Sequence, residues 1–383
     1  MLGSFKNTLS MHFQNSSGWT TNKKLVVIES DDWGSIRMPS QKTYQKCLES
    51  GYRVDQNLFS RYDSLLTSED LDLLFNLLTS FKDCKGNTPI ITANCLVANP
   101  DFEKIKAHNF EQYHYELITE TFARYPKHDR NFEIWKEGIN ERVFFPQFHG
   151  REHLNVSRFI RDLQNGDIDA LFAFDNQMPG IFKKKNVDKG NQYVVAFECF
   201  DKNDLEEKKK ILMDGLDLFE QLFKYRSKSY IATNYVWPFE FEPILKEKGV
   251  DYIQGSKKQL IPDLNGSFYK KSHKTGEKNK YNQYYLVRNS HLEPFSNRNT
   301  DWVAKCLREI NIAFQWNKPA IISTHRVNFC GFINENNRDF SLKILESLLK
   351  QIIQKWPDVE FITSSQLGDI INTNKYDKDC NSL

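Results

Sequence analysis

Residues 23–35 read KKLVVIESDDWGS, an apolar β-branched run that stops abruptly at Asp31-Asp32-Trp33-Gly34. Such a run predicts a buried strand. Adjacent carboxylates at its C-terminal end repel each other and resist burial, and a bound cation relieves both costs. Taken alone, these residues equally fit a turn in which Asp32 caps a helix.

Working outward, similar short runs recur between longer amphipathic stretches: TPIITANCLV (88–97), ERVFFPQF (141–148), ALFAFD (170–175), KSYIATNYVW (228–237), VDYIQG (250–255), PAIISTHRV (319–327) and VEFITS (359–364). The alternation predicts an α/β fold with a mainly parallel sheet or barrel. Residues 68–81, SEDLDLLFNLLTSF, read as a capped amphipathic helix, and about 101–141 carries helical spacing. Lys-, Asn- and Gly-rich stretches at 183–190 and 270–280 predict exposed loops. We expect one domain over 1–383, with its core at about 24–370, a helical insertion at about 50–140 and a frayed tail at 372–383.

Of 383 residues, 39% are hydrophobic, enough for a sizeable core. The 52 basic and 50 acidic residues nearly cancel, so neither a nucleic acid nor an anionic membrane is implied as partner. Residues 1–19 lack the pattern of a signal peptide or anchor, and no stretch is apolar enough to span a bilayer. Seven scattered cysteines fit reduced thiols, so a cytoplasmic location is expected.

The run VFFPQF is followed at once by His149-Gly150-Arg151-Glu152-His153, and LNVSRFIRDL continues as an amphipathic helix. Histidines four apart around a helix start point to one side. Two neutral imidazoles and a carboxylate make a common ligand set for catalytic zinc, with a position left for water. A solvated helix face is the competing reading of such a pair. The run PAIISTHRV delivers His325 to a strand end, where a lone histidine is more often a hydrogen-bonded core or loop residue. Three separate strand ends that supply what one hydrolytic site needs make coincidence the weaker explanation.

In these three segments the chain resembles the polysaccharide deacetylases of the NodB-homology group, carbohydrate esterase family four. There an aspartate pair ends the first strand, a two-histidine motif spaced four apart follows, and a further histidine lies near the end of the domain. The resemblance implies a distorted (β/α) barrel enlarged by helical insertions, with Asp32, His149 and His153 on a divalent ion, Asp31 as general base and His325 as general acid. It departs from the family at Gly150, where a hydroxyl residue is usual. It departs further in IATNYVWPFEFEP (231–243), which aligns by order with an arginine-bearing motif yet holds Asn234, Trp237 and Pro238 and no arginine. That arginine orients the family's catalytic aspartate. Arg37, Arg151, Arg288 and Arg326 are the available substitutes, and Asn234 and Arg326 are the neighbours expected for Asp31. Asp301-Trp302 is reminiscent of the family's acidic-tryptophan motif.

These readings predict a zinc-type metal hydrolase that removes N- or O-acetyl groups from a carbohydrate. Asp31 would take the proton of the attacking water, and His325, across the pocket, would protonate the departing amine. Trp33, Trp237 and Trp302 offer flat faces for a sugar ring, with Asn234 beside them. The alternatives are a metal-free glycoside hydrolase using two of Asp31, Glu198 and Asp175, and a degenerate carbohydrate-binding protein.

Overall fold

The computed structural model describes residues 2–182, 184 and 193–373. Apart from Lys184, the loop expected at 183–190 lies outside the described residues, as does the tail beyond 373; Asn372 and Thr373 end a helix.

Nine strands form one sheet in which every pairing is parallel: β1 Lys24–Trp33, β2 Ile91–Leu96, β3 Phe144–Gly150, β4 Ser229–Ile231, β5 Tyr252–Gly255, β6 Tyr284–Val287, β7 Ser290–His291, β8 Ala320–His325 and β9 Val359–Phe361. Their lateral order is β6-β5-β4-β3-β2-β1-β8-β7, with β9 beside the start of β1. The two outermost strands, β6 and β7, are consecutive pieces of one segment. Val287 pairs with Gly255, the Arg288 N–H donates to Gly255 O at 2.9 Å, the Asn289 N–H donates to Ile321 O at 3.1 Å, and Ser290 pairs with Ile322. The chain thus crosses from one edge strand to the other within two residues and curls the sheet into a barrel. The Asn289 side chain seals the same seam: its Oδ1 accepts from the Ile321 N–H and its Nδ2 donates to Pro319 O, both at 2.9 Å.

Alternation along β1 divides two cores. Val26 and Ile28 face outward into the layer completed by the helices Trp302–Gln315 and Glu335–Lys355. Leu25 and Val27 face inward with Tyr252, Leu286 and Ile321, and the helix Ser364–Thr373 packs Leu367, Ile370 and Ile371 against them as a floor. The next inward positions of β1 are Glu29 and Asp31. Polar groups therefore begin where the apolar floor ends, toward the C-terminal rim that hosts active sites in parallel barrels.

The expected helix at 68–81 is present as Ser68–Thr79, with a reciprocal cap between Thr67 and Asp70. The region at about 50–140 holds helices but also β2 and a small antiparallel pair, Ala98–Pro100 with Tyr115–Leu117. The run ALFAFD is not a strand. It lies in the helix Ile168–Asp175, which Asp167 caps by accepting from Asp169 N and Ala170 N; the run lacks β-branched residues, so nothing opposes the helix. The segment YYLVRNSH, which forms β6 and β7, carries no strand expectation because its polar Arg-Asn-Ser centre interrupts the apolar run.

A candidate metal centre at the barrel rim

The end of β1 is bent in a way that turns neighbouring carboxylates onto one site. Register with β2 shifts between Ser30 and Trp33, and Asp32 has φ 73°. Asp31 keeps the inward direction of the strand, while the bulge swings Asp32 toward β3. Gly34 follows at φ 88°, where a Cβ would stand 2.9 Å from Leu96 O, so glycine is required there.

His149 is the penultimate residue of β3, and His153 follows in the loop before the helix Val156–Gln164. The four-residue spacing therefore works through a turn and not through a helix face. His149 Nε2 lies 3.3 Å and His153 Nε2 lies 3.4 Å from Asp32 Oδ1. One donor atom from each of the three residues falls within 4.8 Å of the others. His149 Nδ1 sits 2.9 Å from Ile231 O, a contact that fixes the ring with Nε2 toward Asp32. Burial lowers the His153 pKa to about 3, against the pull of Asp32, so the ring is neutral. Burial by itself would raise the Asp32 pKa, but His153, the His149 hydrogen bond and Arg37 hold it well below the usual value. Two imidazole nitrogens and a carboxylate oxygen brought together at one point, with little exposure, fit a divalent cation of the zinc class.

Asp31 is gripped by Arg288, with Nη1 to Oδ2 and Nη2 to Oδ1 both at 2.6 Å, and Asn94 Nδ2 donates to Oδ1 at 2.7 Å. Desolvation pushes the Asp31 pKa up; the Arg288 charge and hydrogen bonds outweigh it and bring it down to about 2. Arg288 Nε donates to Glu29 Oε2 at 2.6 Å, and Nη1 also reaches Tyr235 Oη and Ser323 Oγ at 3.1 Å. The expected neighbours of Asp31 need correction. Arg326 turns to Asp63, with Nε to Oδ1 at 3.1 Å, and Asn234, at φ 55°, lines the cavity without a hydrogen bond to Asp31.

His325 stands opposite Asp31 in the parallel register of β8 with β1. Its Nε2 is 3.8 Å from Asp31 Oδ2, so it lies beside Asp31 and not across the pocket as the sequence led us to expect. Nδ1 lies 2.6 Å from Glu293 Oε1, and Glu293 Oε2 takes a hydrogen bond from Asn328 Nδ2 at 2.8 Å. Burial would lower the His325 pKa; Glu293, then Asp31 and Asp32, raise it to about 10. Its Nε2 is thereby a proton donor facing the site.

Asp31, Asp32, His149, His153 and His325 all border one cavity of about 350 Å³, together with Arg37, Phe59 and Asn234. The three tryptophans do not. Trp33 is 1% exposed and packs edge-on against Phe144 and Trp135, Trp237 is buried among Phe241 and Tyr285, and Trp302 is in the outer core with its Nε1 on Asn297 O. Large aromatic side chains gain most from full burial, and that outweighed a place on the wall. Phe59, Phe182 and Tyr235 supply the aromatic lining instead. The glycosidase pair is not assembled either: Asp175 is on the surface with Lys106, Glu198 pairs with Arg158, and neither borders the cavity. The sequence reading missed Asn94 and Glu293, whose only signals are a polar residue inside an apolar strand and a carboxylate before a proline.

The chain is a parallel α/β barrel with an Asp-His-His cluster at its C-terminal rim. Among solved structures it is similar to one from Mycobacterium smegmatis whose description names a polysaccharide deacetylase, at 11% identity and TM-score 0.44 over 94% of both chains. An allantoinase structure is similar at 9% identity and TM-score 0.46 over 92% of this chain and 91% of that one. A 4-alpha-glucanotransferase from Thermococcus litoralis is similar at 8% identity and TM-score 0.44 over 90% of this chain but 40% of that one. No family model matches the chain, and no curated protein matches it.

Proposed function

We propose that this protein is a metal-dependent hydrolase that removes an N- or O-acetyl group from a carbohydrate. The observation that carries the reading is the convergence of Asp32, His149 and His153 on one point, next to the Asp31–His325 pair and open to the same cavity. Zinc or a similar divalent ion held there would supply Lewis acidity and lower the pKa of a water molecule.

The chain's own residues divide the remaining work. Asp31, fixed by Arg288 and Asn94, orients the attacking water and receives its proton. A carboxylate with a pKa of about 2 is a weak base, so it holds that proton only transiently. His325 Nε2, kept protonated through Glu293, lies 3.8 Å from Asp31 and is suited to deliver a proton to the leaving amine or alcohol. The buried wall restricts bulk water and strengthens these charge interactions. The motif resemblance supports a carbohydrate as the substrate. Six described cysteines are free, five of them buried, which supports a reducing, cytoplasmic setting; among the described residues no helix is long and apolar enough to cross a membrane.

The test is acetate release from N-acetylated chito-oligosaccharides by protein stripped of metal and then reloaded with zinc, cobalt or manganese. The reading requires release that follows metal content and disappears in His149→Ala. Release that is undiminished in stripped protein overturns it.

A further inference from the structure

Arg37 enters the cavity wall beside Asp32 and is poorly satisfied there. A guanidinium carries five N–H donors. Among the described residues Arg37 makes one hydrogen bond, Nη2 to Asp32 Oδ2 at a long 3.4 Å, and its Nε has no partner of acceptable geometry although Asp63 Oδ2 is also 3.4 Å away. Arg288, on the same site, makes three carboxylate contacts of 2.6 Å. Each of the two carboxylates near Arg37 gives its other oxygen to a different partner, Asp63 Oδ1 to Arg326 Nε at 3.1 Å and Asp32 Oδ1 to both histidines, while the Oδ2 atoms stay 3.4 Å from Arg37. A cation on Asp32 would draw off still more of the charge that Arg37 meets.

The side chain is held in place by packing. Its guanidinium carbon lies 5.5 Å from the centre of the Phe59 ring, and Phe59 meets His325 edge-on at 5.6 Å. A guanidinium stacked on an aromatic face keeps its in-plane donors free for a planar or tetrahedral oxyanion. Asn57 and Ser60 add polar side chains to the same wall of the cavity.

From this we infer that Arg37 is a specificity-determining residue that binds an anionic substituent, a carboxylate or a phosphate, carried by the acylated sugar. The inference rests on the hydrolase reading above and names the substrate class within it. An acylated sugar acid or sugar phosphate would bring its own oxygens to the unfilled donors in charge-assisted hydrogen bonds, a contact that a neutral sugar cannot offer.

The experiment measures binding by calorimetry to zinc-loaded protein, using non-hydrolysable N-methylsulfonyl analogues of N-acetylglucosamine, its phosphate and its uronic acid. Wild type is expected to bind at least one anionic analogue about tenfold or more tightly than the neutral one, as charge-assisted hydrogen bonds dictate. A preference for the phosphate alone identifies a sugar phosphate, and one for the uronate alone a sugar acid. Arg37→Met should erase the preference while zinc content and neutral-analogue affinity stay unchanged, and Arg37→Lys should keep part of it. Equal affinities in zinc-loaded wild type overturn this inference but leave the hydrolase reading standing; failure of wild type to bind zinc at all defeats that reading first. Loss of zinc in both Arg37 variants would make Arg37 a support for Asp32 and overturn the specificity role.

Discussion

Arg288 and Asp31 lie 257 residues apart and meet in two parallel N–H···O contacts of 2.6 Å. The same guanidinium holds Glu29, two positions earlier on β1, so one buried cation bridges two carboxylates that share the barrel interior. Arg288 reaches them because it occupies the crossing between β6 and β7 that closes the barrel. Closure of the fold and orientation of Asp31 are therefore one structural event.

Arg288→Ala should leave Glu29 and Asp31 buried without the guanidinium that both contact and lower stability by about 3–5 kcal/mol, read by denaturant unfolding. The pH dependence should change with it. In wild type the Asp31 pKa is about 2 in the fold against 3.8 when free, so its contribution is present above pH 3.8 and is lost as pH falls toward 2. The variant should lose that acid-range slope, and Arg288→Lys should recover charge but not the two-pronged contact.

Asn289→Ala tests the seam. It removes the acceptor of the Ile321 N–H and the donor to Pro319 O, both buried. Buried groups stripped of a partner cost about 1–3 kcal/mol each. Stability should fall by that order in thermal unfolding while zinc stoichiometry stays at the wild-type level, because the ligands sit on β1 and β3 and the loop after β3.

Metal binding should itself stabilise the fold. With free zinc at a hundred times its Kd, unfolding free energy should rise by about 2.7 kcal/mol, and Asp32→Asn, His149→Ala and His153→Ala should each abolish the rise. Elemental analysis of the same samples should report loss of stoichiometric zinc. An unchanged zinc-induced shift in any one of the three would remove that residue from the ligand set.

Much of the site was legible because its residues follow strands whose apolar runs are plain in the sequence: Asp31 and Asp32 after VVIES, His149 after VFFPQF, His325 after AIIST. What was not legible depended on closure. Arg288 was one of four arginines available to Asp31, and only the pairing of its segment with both β5 and β8 singles it out. Glu293 likewise acts through a loop whose path is set by the barrel. The tryptophans stood open between a cavity wall and ordinary core, because an aromatic residue beside a motif reads the same in either place, and here all three are buried.

His325 and Glu293 give the sharpest test of chemistry. Glu293 lies 2.6 Å from His325 Nδ1 and is the largest cause raising the imidazole pKa, to about 10. An acid catalyst is active while protonated, so hydrolysis should fall on the alkaline side, below pH 10 once a dication nearby repels the proton. Glu293→Gln removes the charge but keeps an oxygen acceptor, and it should move that alkaline limb to lower pH while zinc content is unchanged. The stability consequence has the same sign: a histidine with its pKa raised from 6.5 to about 10 stabilises the fold fully below pH 6.5 and loses that contribution as pH rises toward 10, a slope that Glu293→Gln should flatten. His325→Ala should remove most turnover and retain zinc. If the alkaline limb of Glu293→Gln coincides with that of wild type, the proton needed by the leaving group comes from another residue.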